Sequence, residues 1–343
     1  MSHRSTLLVS LAAASVAAVA ATIAIHYRRD IRSAYARIAS GSSLIDTPCG
    51  PIEYAEIGEG PPVLIVHGAG GGFDQGIDFG IQLARRGFRI IAMSRFGYLR
   101  TPLPVDASAA TQADAHVCLL DALELENAGV IGVSAGAPSA MQMAIRHPKR
   151  VGALVLAVPA IYSPRPQNAP SVTVPRGTEF LFSTALKSDF VFWLARHAAP
   201  STLVRAILAT PPEDLKKVTR AERARVADLL DRILPVRPRR LGLINDGAVV
   251  SSLARYDLES IMAPTLAVSV ADDQFGTFAG ARYSAEHIPN ARFVGYATGG
   301  HIWAGHQQDV VREIVHFLKQ ALGPDYARSG IAPMQGPKLS SVR

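Results

Sequence analysis

Gly132-Val133-Ser134-Ala135-Gly136 follows an apolar run and precedes a helical pattern. A serine in that context, flanked by small residues, is lifted onto a sharp turn where its hydroxyl can attack an electrophilic carbon. The backbone N–H of Ala135 then points from a helix N-terminus toward the oxyanion that such an attack creates. A second donor must come from another turn. His67-Gly68-Ala69-Gly70-Gly71-Gly72-Phe73-Asp74 follows the apolar residues 63–66 and lacks the G-K-[ST] ending of a phosphate loop. Its glycines allow close backbone approach, and it offers the N–H of Ala69, with Gly70 as the alternative. His67 itself reads as structural.

A serine hydroxyl is a poor nucleophile until a histidine takes its proton, and that histidine needs a carboxylate to fix its tautomer. Four histidines lie late enough in the chain: His287, His301, His306 and His316. The spacing puts His316 inside a helix and His287 at the end of another, so both read as structural. His301 follows Thr298-Gly299-Gly300 between a strand pattern and the last helix, a place that suits a base. His306 is its alternative. Asp272 and Asp273 stand side by side after another strand pattern, and only one of them can face the imidazole. The other reads as a loop-capping or turn-bonding residue.

These residues need a scaffold that brings distant turns to one edge. Short apolar runs at 63–66, 89–94, 129–133 and 151–158 alternate with helical patterns at 74–86, 110–126 and 135–147, which predicts a mostly parallel α/β sheet covered by helices. Alternation stops near Pro159, mostly helical material follows to about Ile261, and alternation resumes at 264–270, 278–287, 291–296 and 306–322. About a hundred residues are too many for a bare loop, so a helical cap is expected. The predicted domains are therefore 46–160 and 262–322 for the two parts of the core, and 161–261 for the cap. A pocket between Ser134 and that cap is expected, with Phe180, Phe182, Phe190, Phe192 and Trp193 either lining it or serving as core.

The ends differ from the core. Residues 5–25 carry no charge and would span roughly 30 Å as a helix, the thickness of a bilayer's hydrocarbon. Segment 1–45 is thus predicted to be an N-terminal membrane anchor, through residues 5–25, with a basic juxtamembrane stretch. The competing reading is a signal peptide cut after Ala18-Val19-Ala20, giving an exported enzyme. Arg28, Arg29, Arg32 and Arg37 outweigh Arg4 and the α-amine, which favours a cytoplasmic catalytic domain. Residues 323–343 gather Gly, Pro and Ser and are predicted to be a disordered tail. The net charge of +7 sits partly in a run from Lys216 to Arg240 that also holds Glu222, Asp228 and Asp231, with Glu213 and Asp214 just before it, so that run reads as a solvated helix face and nucleic acid is not an expected partner. Cys49 and Cys118 are too few for a disulfide framework or a cysteine metal site, and Cys118 reads as a small buried hydrophobe.

On the 67–72 turn, the Ser94-Arg95-Phe96-Gly97-Tyr98 loop, the 132–136 elbow and the Asp and His segments, residues 50–322 resemble the α/β-hydrolase superfamily. The likeness is greatest to capped bacterial esterases and meta-cleavage-product hydrolases. The resemblance implies an eight-stranded, mostly parallel sheet with helices on both faces, a helical cap, and a cofactor-free triad in the order Ser134, Asp273, His301. The family's spacing before the acid favours Asp273 over Asp272, and its base occupies the place of His301. The meta-cleavage branch typically has Asn before the serine and Gly-Gly after the elbow. Val133 and Gly136-Ala137 stand there instead, a departure that speaks against carbon–carbon bond hydrolysis but leaves it open beside ester, lactone and thioester hydrolysis. The implied activity is serine hydrolysis of a small-molecule carboxylic ester or related acyl substrate through an acyl-enzyme. A non-catalytic binder or receptor on the same fold, and a cofactor-free perhydrolase or haloperoxidase, are the competing readings. Neither the substrate groups nor the oligomeric state follows from the sequence.

Overall fold

Six apolar runs flanked by helices become the parallel part of one eight-stranded sheet. The computed structural model describes residues 3–164 and 186–323. The strands are β1 (Ser43–Ile45), β2 (Ile52–Ile57), β3 (Pro62–Val66), β4 (Arg89–Met93), β5 (Ala128–Val133), β6 (Val151–Ala157), β7 (Thr265–Val270) and β8 (Ala291–Tyr296). Their spatial order is β1-β2-β4-β3-β5-β6-β7-β8. The first two pairings are antiparallel and the others parallel. The sheet therefore starts at Ser43, inside the stretch expected to be juxtamembrane.

Strands β5, β6 and β7 are buried almost throughout, as strands covered on both faces must be. Helices α3 (Ala109–Ala122), α4 (Ala137–Arg146) and α10 (Thr277–His287) contribute to the apolar cluster on one face, with Leu119, Met141 and Ala281. Helices α2 (Phe73–Ala84) and α11 (Gln307–Leu322) contribute Leu83, Ile314 and Leu318 to the cluster on the other. Because β3 and β5 to β8 run parallel, their carboxyl ends open on a common edge, where open α/β sheets place their sites.

Between β6 and β7 the described residues are helical: α5 (Asp189–Ala198), α6 (Pro200–Ile207), α7 (Asp214–Lys217), α8 (Arg220–Ile233) and α9 (Arg240–Ser251). Their core joins Phe192, Trp193, Leu203, Val226, Leu230 and Ile233. Helix α1 (His3–Ala39) belongs to this cluster through Ile23, Tyr27, Ile31 and Ala34, an i, i+4, i+8, i+11 stripe. Its earlier part is different: residues 11–22 are exposed on every side. The segment Leu11–Ala39 is long and apolar enough to cross a membrane, by length and composition.

Two expectations about the cysteines and the basic run need correction. Cys49 and Cys118 are joined in a disulfide with their Cα atoms 6.1 Å apart, so Cys118 is not a free hydrophobe. The loop before β2 and helix α3 meet across 69 residues, a pairing that counting cysteines does not reveal. Arg239, in the run read as solvated, is fully buried. The predicted tail lies outside the described residues apart from Gly323.

Candidate active site

Strand β5 runs straight into Ser134, whose φ is +49°, a left-handed conformation that a serine adopts only when its surroundings enforce it. The enforcing contacts are close. A Cβ on Gly132 would stand 2.7 Å from the Ala140 Cβ, and one on Gly136 would stand 2.3 Å from the Val66 carbonyl oxygen. Only glycine at both places lets the turn nest between β3 and α4.

His301 is carried by the Gly299-Gly300 turn after β8. Its Nε2 lies 2.9 Å from Ser134 Oγ and its Nδ1 2.8 Å from Asp273 Oδ2. Asp273 Oδ2 also accepts from the Thr277 hydroxyl, and Oδ1 accepts from the Phe275 N–H at 2.9 Å. Burial alone would raise the Asp273 carboxyl, but His301, Thr277 and the Phe275 N–H hold it below the ordinary aspartate value. It is the ionised form that these donors favour. Phe275 packs edge-on against the His301 ring at 5.0 Å.

Asp272 faces the other way. It accepts from the N–H groups of Gly299 at 3.2 Å and Gly300 at 2.7 Å, so it pins the turn that carries the histidine. Burial and the neighbouring Asp214 carboxyl push its pKa up. His306 stacks on Tyr296 at 4.5 Å, His287 bonds the Tyr283 carbonyl through Nδ1, and His316 is exposed on α11. The structure thus brings Ser134, His301 and Asp273 together and leaves the other late histidines apart.

The 67–74 turn lies beside the elbow: a Cβ on Gly68 would be 3.2 Å from that of Ser134. Three of its glycine N–H groups have acceptors within the fold, and the Phe73 N–H donates to the Ser94 hydroxyl. Gly68 donates to Gln75 Oε1, Gly70 to the Tyr98 hydroxyl and Gly71 to the Gly68 carbonyl. That favours Ala69, which is exposed, over Gly70 as the donor facing a substrate. His67 Nε2 accepts from the Arg95 N–H at 3.0 Å, so its proton sits on Nδ1, 2.7 Å from the Gly68 carbonyl. Burial and Arg95 keep its pKa well below the usual histidine value. It is a neutral brace for the turn.

Two buried ion pairs tie this turn to the inserted helices, and neither is visible in local sequence patterns. Arg95 makes a two-pronged contact with Asp246 of α9 at 2.6 and 2.7 Å, and its Nε donates to the His67 carbonyl. Arg239 makes a similar contact with Asp74 at 2.7 and 3.0 Å and donates to the Gly71 carbonyl. Arg37 of α1 reaches the same Asp74 carboxylate at 3.5 Å. Fork-shaped guanidinium contacts of this kind fix orientation as well as charge. On the acid and histidine side, the Ala209 carbonyl accepts from the N–H groups of Gln274 at 3.1 Å and His301 at 3.4 Å.

The aromatic lining expected for the pocket is mostly elsewhere. Phe192 and Trp193 are buried in the core of the inserted helices, Phe190 lies beside Tyr27 of α1, and Phe180 and Phe182 lie outside the described residues. Helical packing claims those rings first. A cleft of about 490 Å³ runs between residues 103–110 and α9, but none of Ser134, Asp273 and His301 lines it. Among the described residues no cluster of His, Cys, Asp and Glu could hold a metal ion.

The profile of the family described as "alpha/beta hydrolase fold" matches residues 61–303. The chain is 27% identical to the uncharacterized hydrolase YcgS of Bacillus subtilis, over 75% of this chain and 90% of that one. It is 37% identical to the 2-hydroxymuconate semialdehyde hydrolase of a Pseudomonas species, but over only 29% of this chain and 36% of the relative. An alpha/beta hydrolase fold protein from Nakamurella multipartita superposes with a TM-score of 0.67 at 28% identity, covering 81% of this chain and 99% of that structure. With the family profile spanning most of the chain and the sheet order agreeing with it, the protein belongs to the alpha/beta hydrolase fold family and is a hydrolase.

Proposed function

We propose that this hydrolase cleaves a carboxylic ester or related acyl compound through an acyl-enzyme on Ser134. One observation carries the reading: the unbroken relay from Asp273 through His301 to Ser134 Oγ, with links of 2.8 and 2.9 Å. In the first step His301 Nε2 takes the hydroxyl proton as Oγ bonds to the acyl carbon, and Asp273 stabilises the imidazolium that forms. The N–H groups of Ala69 and Ala135 take the oxyanion. His301 then returns the proton to the leaving alcohol, and the tetrahedral intermediate collapses to the ester of Ser134. Water, deprotonated by the same nitrogen, releases the acid and restores the serine. The inserted helices act as the cap: Ile233 and Leu243 lie within 4 Å of where a Cβ on Gly70 would stand, and give the oxyanion turn an apolar cover.

Val133 and the Gly136-Ala137 pair at the elbow favour ester over carbon–carbon bond cleavage. A panel of aryl ester, lactone and thioester substrates, run with wild type and Ser134→Ala, tests the reading. Turnover of at least one class is expected, with a loss of about a thousandfold or more in the variant.

Residues 5–25 serve as a membrane anchor in this reading. The basic flank after the helix favours a cytoplasmic catalytic domain, whereas the Cys49–Cys118 disulfide favours an oxidising compartment. We give the disulfide more weight, because Arg37, one of the four flanking arginines, is engaged by Asp74 and by the Arg232 carbonyl within the fold.

A further inference from the structure

The loop after β4 stands between the oxyanion turn and the inserted helix α9. On the α9 side the two backbones are joined directly. The Gly242 N–H donates to the Gly97 carbonyl at 2.9 Å, and the Leu99 N–H donates to the carbonyl of Pro238, just before α9, at 2.8 Å. A Cβ on Gly242 would stand 2.1 Å from Tyr98 Cδ2, so only glycine lets α9 lie on that ring. Asp246, one turn along α9, then reaches two side chains of the loop. It takes both prongs of the Arg95 guanidinium at 2.6 and 2.7 Å, and it accepts from the Tyr98 hydroxyl. All three residues are buried.

On the other side the same two residues hold the turn. The Tyr98 hydroxyl oxygen accepts from the Gly70 N–H at 3.2 Å while its own proton goes to Asp246. Burial and the Asp246 carboxyl push the phenol's pKa well above its usual value, so that proton stays in place. Arg95 donates through Nε to the His67 carbonyl at 2.8 Å, and its N–H binds His67 Nε2 at 3.0 Å, which leaves the Nδ1 proton for the Gly68 carbonyl. In a trans peptide the Ala69 N–H points opposite to the Gly68 carbonyl, so whatever fixes that carbonyl aims the N–H. The turn is poorly fixed by its own bonds. The Gly71 N–H closes it on the Gly68 carbonyl at 3.3 Å, with Gly70 at φ +73° in the third place of a type II turn. Glycine there leaves the Ala69–Gly70 peptide free to turn over, and the Tyr98 bond opposes that motion.

We propose that Asp246 is a positioning residue for the oxyanion donor: from α9 it holds Tyr98 and Arg95, and they hold the 68–71 turn so that the Ala69 N–H faces the substrate. The proposal rests on reading Ser134 as the nucleophile and Ala69 as an oxyanion donor. It goes beyond that reading by making the donor's aim depend on a side chain of the inserted helices. A donor must come within about 2.7–3.1 Å of the oxyanion, and an error of about 1 Å in a reacting geometry can cost about a hundredfold. Such a loss falls on the transition state and spares ground-state binding, because the charge on the oxygen develops only during the attack.

The test is the rate at which an aryl fluorophosphonate labels Ser134 of the full-length protein, since the attacked phosphoryl oxygen gains charge as an ester oxygen would. Tyr98→Phe removes one hydroxyl and keeps the ring on Gly242, whereas Asp246→Asn weakens both arms. Labelling of Tyr98→Phe is expected to reach completion with a maximal rate constant roughly 10- to 100-fold lower and a half-saturating concentration within about twofold of wild type. The midpoint of its pH dependence is expected to stay where it is in wild type. Asp246→Asn is expected to lose at least as much, and the double variant no more than about threefold beyond it, since both changes act through one chain of bonds. Should Asp246→Asn fold poorly, Tyr98→Phe decides alone. An unchanged maximal rate constant in Tyr98→Phe, with Ser134 still labelled, overturns the proposal and leaves the nucleophile reading intact. A loss seen only as a fraction of protein that never labels is a folding defect, and a shifted pH midpoint puts the effect on His301; either also overturns it. Failure of the wild type to label at Ser134 overturns both.

Discussion

Asp272 and Asp273 are chemically identical neighbours, yet the fold gives them different partners. Asp273 bonds the imidazole and Asp272 bonds two backbone N–H groups of the histidine turn. Asp273→Asn is expected to reduce kcat for an aryl ester by about 10⁴-fold, since the amide favours the wrong histidine tautomer. Asp272→Asn keeps an oxygen to accept from the Gly300 N–H and is expected to cost about tenfold or less. Comparable losses in the two variants would reassign the acid. His116 is a second residue with a measurable signature. It is fully buried between Met93 and Ser139, and burial lowers its pKa to about 3. Its folded pKa lies below the unfolded value, so the stability it confers is fully present above about pH 6.5 and is lost as pH falls towards 3. In that window the unfolded chain binds the proton and the folded chain does not. Between pH 7.5 and 5.5 this one residue is expected to cost the wild type about 1 kcal/mol of unfolding free energy. Urea titrations of wild type and His116→Gln at both pH values check it. The pH difference is expected to shrink by about that amount in the variant, and an unchanged difference contradicts the assignment.

At the scale of elements, β3 to β8 are legible in the sequence because continuous apolar runs of five to seven residues admit few alternatives. The antiparallel strand β2, between β1 and β4, is not. It carries Glu53 and Glu56, and it becomes intelligible only when Arg100 and Ser94 are found on Glu53 and Arg89 on Glu56. The same reason hides the bracing of the site. Arg37, Arg95 and Arg239 look like ordinary surface charge until residues 37 to 165 positions away supply carboxylates. The candidate Ser134, Asp273 and His301 and the glycine turn are readable because each sits in a short turn pattern, whereas long-range ion pairs leave no period. Helix α1 shows the division most clearly, and truncation tests it. Removing residues 1–22 takes away only exposed positions among those whose side chains are described, and is expected to leave the melting temperature within about 3 °C. Removing residues 1–39 strips Ile23, Tyr27, Ile31, Ala34 and Arg37 from the inserted helices. A fall of roughly 5–10 °C is expected from the lost burial and the half-neutralised Asp74. Equal melting temperatures for the two truncations would mean that α1 is only a tether.

For the whole molecule, the sheet gathers the ends of β3, β5, β7 and β8 on one edge, and the inserted helices close over that edge through Asp246, Arg239 and Ala209. The compartment proposed above rests on the Cys49–Cys118 crosslink. With the Cys49–Cys118 bond formed, a thiol-reactive mass tag is expected to leave the chain from cells unmodified and to add twice after reduction. Tagging at both thiols without reductant would put the catalytic unit in the cytoplasm, as the basic flank alone suggests. The chemistry itself is tested most directly by the intact mass and peptide map of the full-length protein after treatment with an aryl fluorophosphonate. A single adduct on Ser134, slowed at least about a thousandfold by His301→Ala and absent from Ser134→Ala, is the expected result. An adduct on another residue, or labelling of Ser134 that proceeds unchanged without His301, would contradict a serine nucleophile activated by the Asp273–His301 pair.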